Sequence, residues 1–120
     1  LRVEERFHGV ALKPGKPVTF GVRKKHQIFN LPGNPVSALV CFELLVRPAV
    51  HCLLGLHDPL PQLSSGTLGA PVARLAARDQ YVRARTRGSF ENPELVPVSA
   101  QESHMIVAAA QADALVRIDN

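Results

Sequence analysis

The sequence predicts a mixed α/β chain built from two unlike parts, and three observations predict it. A turn rich in proline, glycine and asparagine, Leu31 to Ser37, joins a short apolar run to one long apolar stretch, Val36 to Leu54. A Pro- and Ser-rich segment, Asp58 to Ser65, then interrupts the chain near its middle. Beyond it the texture changes to short runs in which apolar and polar residues alternate. The expected division is therefore a strand–turn–helix unit over 1–58 and a small β-rich unit over 59–120.

Arg2 to Arg6 is charged, and Phe7 to Leu12 reads as a short buried strand with His8 inside it. Two prolines and a glycine in Lys13-Pro14-Gly15-Lys16-Pro17 exclude a regular element, so a loop follows. It holds two ammonium groups three residues apart on a constrained backbone. That pattern is either a solvated turn or a two-lysine clamp for an oxyanion such as phosphate. Val18 to Val22 and Gln27 to Leu31 read as a hairpin or two neighbouring strands around the basic turn Arg23-Lys24-Lys25-His26, a solvated loop tip.

In the Leu31–Ser37 turn, Asn34 suits an N-cap, since its side-chain oxygen accepts a backbone N–H of the first turn. Pro35 then falls at the first helical position, where a missing N–H costs nothing. Ser37 falls at the third, beside the positive end of the helix dipole. The segment is either a well-capped helix start or an anion site. From Pro35 the apolar residues cover most of the helix circumference, so burial on nearly all sides is expected. Pro48 is expected to kink or break the helix near Leu44 to Arg47, and Gly55 to cap its end. Glu43, Arg47 and Pro48 interrupt the apolar stretch, which favours a buried helix over a membrane span. His51 and His57 have no ligand partners at a convincing spacing.

In the second part, Pro71 to Ala77, Gln80 to Arg87 and Leu95 to Ser99 read as short strands, with a turn region at Gly88 to Glu94. Tyr81, Arg83, Arg85 and Arg87 alternate with Val82, Ala84 and Thr86, giving one strand a basic face. Met105 to Ala110 reads as an Ala-rich helical turn and Ala112 to Ile118 as a closing strand. Ser103 beside His104 does not make a hydrolase dyad, because adjacent side chains diverge and no acidic residue is placed to orient the imidazole.

Composition bounds the rest. Hydrophobic residues make up 46% of the 120, enough for a core. The first residue is not Met and the chain stops directly after an apolar run, so both ends read as cut and a fragment is expected. A formal charge of +4 favours anionic partners. With five Phe, one Tyr, no Trp and no basic helix, nucleic acid is not among them. Cys41 and Cys52 lie eleven apart in the helical stretch, match no zinc spacing, and are expected to be buried, reduced thiols of a cytoplasmic protein. No signal peptide is visible.

The lysine loop Lys13–Pro17, the Leu31-Pro32-Gly33-Asn34-Pro35-Val36-Ser37 helix start, the basic strand around Arg83 and the late Ser103-His104, in that order, resemble the C-terminal part of the molybdopterin molybdenumtransferase family. These are the molybdenum insertases also called MoeA, which include the gephyrin E domain. The resemblance covers nearly the whole chain. It implies an α/β fold: the last part of a three-layer molybdopterin-binding domain over 1–58, then a partial small β-barrel over 59–120. It implies an enzyme, a transferase that inserts molybdate into adenylylated molybdopterin and releases AMP, usually as a cytoplasmic homodimer with Mg2+ and no membrane partner. Lys13, Lys16 and Pro17 match the molybdate-binding loop. Asn34 and Ser37 match the binding residues of the helix start, Arg83 the molybdate arginine, and Ser103 the serine of the late polar loop. Arg85 on the same strand face leaves the choice of arginine open.

The resemblance also has gaps. The acidic, Gly-rich stretch expected to carry the metal-binding carboxylates is absent, so Mg2+ ligands are expected upstream, and neither Glu43 nor Asp58 is an obvious substitute. No catalytic residue is identified within the 120. Asn30 stands where many relatives have glycine. Two alternatives share the fold: a scaffold module of the gephyrin type, which docks a receptor peptide, and a molybdopterin adenylyltransferase-like domain. The full resemblance implies an oxyanion pocket assembled from two domains, or from two subunits, with Ser37 as one wall.

Overall fold

A three-stranded antiparallel sheet opens the fold. The computed structural model describes residues 2–74, 78–99 and 106–118. Strands β1 (Glu4–His8), β3 (Thr19–Arg23) and β4 (His26–Asn30) pair in the order β1-β3-β4. Arg23 pairs with His26, so β3 and β4 form a hairpin with only Lys24-Lys25 at its tip. Phe7, Phe20 and Phe29 are successive cross-strand partners whose rings stack at 5.8 and 4.6 Å between centroids. Such aromatic pairs stabilise a sheet face beyond the area they bury. The expected strand Phe7 to Leu12 is displaced: β1 begins at Glu4, because Glu4 and Glu5 find partners on β3 and most of their side chains stay in water. Leu12–Lys13 forms a separate strand, β2.

The helical run starts at Pro35 as expected and continues to Leu53 in three pieces. Helix α1 (Pro35–Cys41) passes into a wide π-helical segment, Phe42–Val46, and then α2 (Arg47–Leu53). The widening stands in place of the expected break. Pro48 has no N–H for an ordinary turn and its ring would press on the carbonyl four residues back. The wider turn, in which the Arg47 N–H reaches the Phe42 carbonyl, absorbs that mismatch without interrupting the helix.

Burial on nearly all sides is not what the helix shows. Val36, Ser37, Val40, Cys41 and Pro48 are buried, whereas Leu39 is 51% and Leu53 67% exposed. Apolar composition sets what a helix can bury, but only one flank of this helix meets other described elements. Cys41 is buried as expected, but Cys52 lies on the outer flank and is exposed. By length and composition alone the 19-residue run, mean hydropathy 1.7, is apolar enough to cross a membrane, a test that core helices also pass.

After an extended stretch comes a five-stranded mixed sheet: β5 (Thr67–Leu68), β6 (Asp79–Gly88), β7 (Pro93–Pro97) and β8 (Ala114–Ile118), with β2 completing it. Its long central strand, β6, holds β8 on one edge and both β2 and β7 on the other. This open sheet fits part of a small barrel. The expected strand at Pro71 to Ala77 is not seen at residues 71–74, which run without regular structure, and 75–77 lie outside the described residues. Strand β7 starts two residues earlier than expected and β8 two later. Helix α3 (Ile106–Ala110) packs beside α1, and its Ala109 is buried.

Candidate functional site

The parallel pairing of β2 with β6 fixes the site's layout. Leu12 lies level with Asp79 and Lys13 with Gln80, and the Asp79 N–H donates to the Ala11 carbonyl at 2.9 Å. The lysine loop thus leaves directly from the sheet that carries Arg83.

The loop is tightly made. The Val10 N–H donates to the Lys16 carbonyl at 3.1 Å, and the Val18 N–H to the Gly15 carbonyl at 3.2 Å. Gly15 is buried with φ +128°, a conformation open to glycine, and its α-carbon presses on helix α1. A Cβ there would come within 2.7 Å of the Cys41 Sγ. The Cys41 thiol donates to the Gly15 carbonyl at 3.6 Å. Burial pushes this thiol's pKa up, which keeps it as the S–H donor. Lys13, Lys16 and Pro17 stay exposed on the outside of the loop.

Asn34 caps α1: its Oδ1 accepts from the backbone N–H of Val36 at 3.2 Å and of Ser37 at 3.4 Å. Those two amides are therefore engaged, and what Ser37 has left to offer a ligand is its side chain, in a residue only 7% exposed. Ser37 and Cys41 are four residues apart and share a face of the helix. The lysine loop and Ser37 thus belong to one side of α1.

Arg83 belongs to another. It is 5% exposed, is engaged within the fold, and lines a cleft of about 860 Å³ between the helical run, the extended segment after it and strands β6 and β8. Val36, Val40 and Tyr81 share that lining, and Lys13, Lys16 and Ser37 do not. Successive strand residues alternate in direction. Arg83 therefore shares a face of the sheet with Leu12 and Tyr81, while Lys13 shares the opposite face with Gln80 and Val82. Arg85 lies on the Arg83 face but is exposed and donates its Nε–H to the Gln111 carbonyl at 2.7 Å. Ser103 lies outside the described residues. Among the described residues no group of three or more His, Cys, Asp or Glu is placed to hold a metal ion, so the side chains present do not fit an Mg2+ site.

The sequence reading missed two contributors, Gly15 and Cys41. The only signals were a glycine between the two lysines and a cysteine one helical turn past Ser37.

Residues 1–51 match the family model of a probable molybdopterin binding domain, and residues 65–120 that of the MoeA C-terminal region, domain IV. A molybdopterin molybdenumtransferase from Staphylococcus aureus is 29% identical over 98% of this chain, which covers 28% of that protein. Molybdopterin molybdenumtransferase 1 of Mycobacterium tuberculosis is 33% identical over 89% of this chain, covering 27% of its own length. The crystal structure of a molybdopterin biosynthesis MoeA protein from Pyrococcus horikosii superposes with a TM-score of 0.77 at 31% identity, over 96% of this chain and 27% of that one. The chain thus spans 27–28% of the length of these relatives. Two adjoining family models, relatives matched over nearly the whole chain and the shared fold lead to one conclusion: the chain belongs to the molybdopterin molybdenumtransferase (MoeA) family.

Proposed function

We propose that this chain supplies oxyanion-binding elements of a molybdopterin molybdenumtransferase, acting in molybdenum cofactor biosynthesis. The reaction is insertion of molybdate into adenylylated molybdopterin with release of AMP. The observation that carries the reading is the seating of the Lys13–Pro17 loop on the Ser37 side of α1, in a chain whose relatives bear that name. Two ammonium groups on a fixed backbone supply point charges for a doubly charged tetrahedral anion, and a nearby hydroxyl supplies a directional donor. Asn34 serves this site indirectly, by starting the helix that presents Ser37. Ser103 is assigned to the same pocket on resemblance alone.

Arg83 emerges on the sheet face opposite Lys13, and this supports a pocket shared between two copies of the chain in a homodimer, with lysines from one and Arg83 from the other. The divalent ion of the proposed reaction is Mg2+, held by carboxylates other than those described, and the setting is cytoplasmic.

Equilibrium dialysis of molybdate against the purified protein tests the assignment. Lys13→Ala with Lys16→Ala is expected to weaken binding by roughly tenfold or more, the worth of a charge-assisted contact, and Ser37→Ala by a smaller factor. Circular dichroism should show the same fold in each variant. Molybdate affinity unchanged in the double lysine variant overturns the site.

A further inference from the structure

We infer that Cys41 is a positioning residue for molybdate binding, a seat that fixes the lysine loop against α1; this rests on the proposed function above. The contact has three parts. The Sγ reaches the Gly15 carbonyl at 3.6 Å. That carbonyl also accepts the Val18 N–H at 3.2 Å, so one oxygen ties the thiol to the turn that carries Lys16. Gly15 has no Cβ and lies close enough that one would fall 2.7 Å from the sulfur. The fit is therefore set by side-chain size as well as by a hydrogen bond. Cys41 itself is fully buried and touches no solvent, so its route to an anion is through the backbone of residues 14–17.

Lys13 and Lys16 flank this seat. A loop free to shift by an ångström loses the fixed spacing of its two ammonium groups, and binding that depends on both weakens although neither lysine is changed. Cys41 is four residues after Ser37 on the same face, so the seat also registers the lysines against that serine.

Two readouts test this in the purified protein. The first is amide hydrogen exchange at Val10 and Val18, whose N–H groups close the loop on Lys16 and Gly15. Cys41→Ala is expected to speed exchange at both by about fivefold, with the β3–β4 hairpin unchanged. The isosteric pair Cys41→Thr and Cys41→Val separates donor from bulk: threonine keeps a donor and should restore slow exchange, and valine should not. The second readout is molybdate dialysis. Cys41→Ala is expected to weaken binding by about fivefold. Phe29→Ala, which removes the stacking partner of Phe20 in the β1–β3–β4 sheet, is expected to lower stability with affinity intact. Unchanged exchange at Val10 and Val18 in Cys41→Ala overturns the seat. A loss of affinity in Cys41→Ala no larger than that in Phe29→Ala overturns its link to binding. Absence of molybdate binding in the unsubstituted protein overturns the proposed function instead, while the exchange readout still decides whether Cys41 holds the loop.

Discussion

Asp113 is an exposed carboxylate with a structural task. Its Oδ1 accepts the Thr86 N–H at 2.7 Å and the Thr86 hydroxyl at 3.0 Å, while its own N–H donates to the Ala84 carbonyl at 3.1 Å. These bonds favour the ionised form. The Thr86 backbone bond above all, then its hydroxyl, hold the carboxyl below its ordinary value of 3.8. The sign of the linkage follows. The native state binds this proton less readily than the unfolded chain, so the stabilisation is present above pH 3.8 and is lost as pH falls through the lowered native value. Urea midpoints measured from about pH 5 down to about pH 2.5 should fall more steeply in the native protein than in Asp113→Asn. Parallel profiles would show that the carboxylate contributes nothing. No sequence pattern announces this pair, because its members lie 27 residues apart and meet only when β8 pairs with β6. Asn34 is the opposite case. Its amide partners are two and three residues away, so a cap is legible from local order alone.

The helical run shows the same division between local and tertiary information. Its start and its end were both legible. Gly55 takes φ +72°, its N–H donates to the Cys52 carbonyl at 3.0 Å, and the Leu56 N–H donates to the His51 carbonyl at 3.1 Å, which is the Schellman pattern. Nothing lies within 4 Å of where a Cβ would stand at Gly55, so Gly55→Ala isolates the backbone strain. It should destabilise by about 1 kcal/mol. Gly33, equally open but without a positive φ, serves as the comparison, and Gly33→Ala should be neutral or slightly stabilising. Equal urea midpoints for the two variants would contradict the cap assignment. The middle of the run was not legible in the same way. Pro48 announces a disturbance, but whether the chain breaks, kinks or widens depends on what packs there, and the buried proline ring is kept within a continuous helix. The two-residue strands β2 and β5 left no periodic trace at all, since two residues cannot show an alternation.

At the scale of the whole molecule, the ladder from β2 to β6 ties the lysine loop to the second sheet while dividing its charges. The order of the motifs is written in the sequence, but facing direction depends on strand register, which one sequence does not state. If the proposed pocket takes lysines from one copy and Arg83 from the other, two defective chains can complement each other. One chain carries Lys13→Ala with Lys16→Ala. The other carries Arg83→Met, which keeps a long side chain in the buried position. Each alone makes dimers in which every pocket has a defect. Random mixing by co-expression gives about half heterodimers, and in each of these one pocket collects both defects and the other none. Molybdate titration of the mixture should therefore recover about a quarter of the normal number of high-affinity sites. No recovery above two variants that are each defective alone would place lysines and arginine in the same protomer's pocket. Normal molybdate binding by Arg83→Met alone would remove Arg83 from the pocket, and the opposite facing of Lys13 and Arg83 would then reflect two separate tasks: anion capture by the loop, and support of the β6–β8 face by the buried guanidinium.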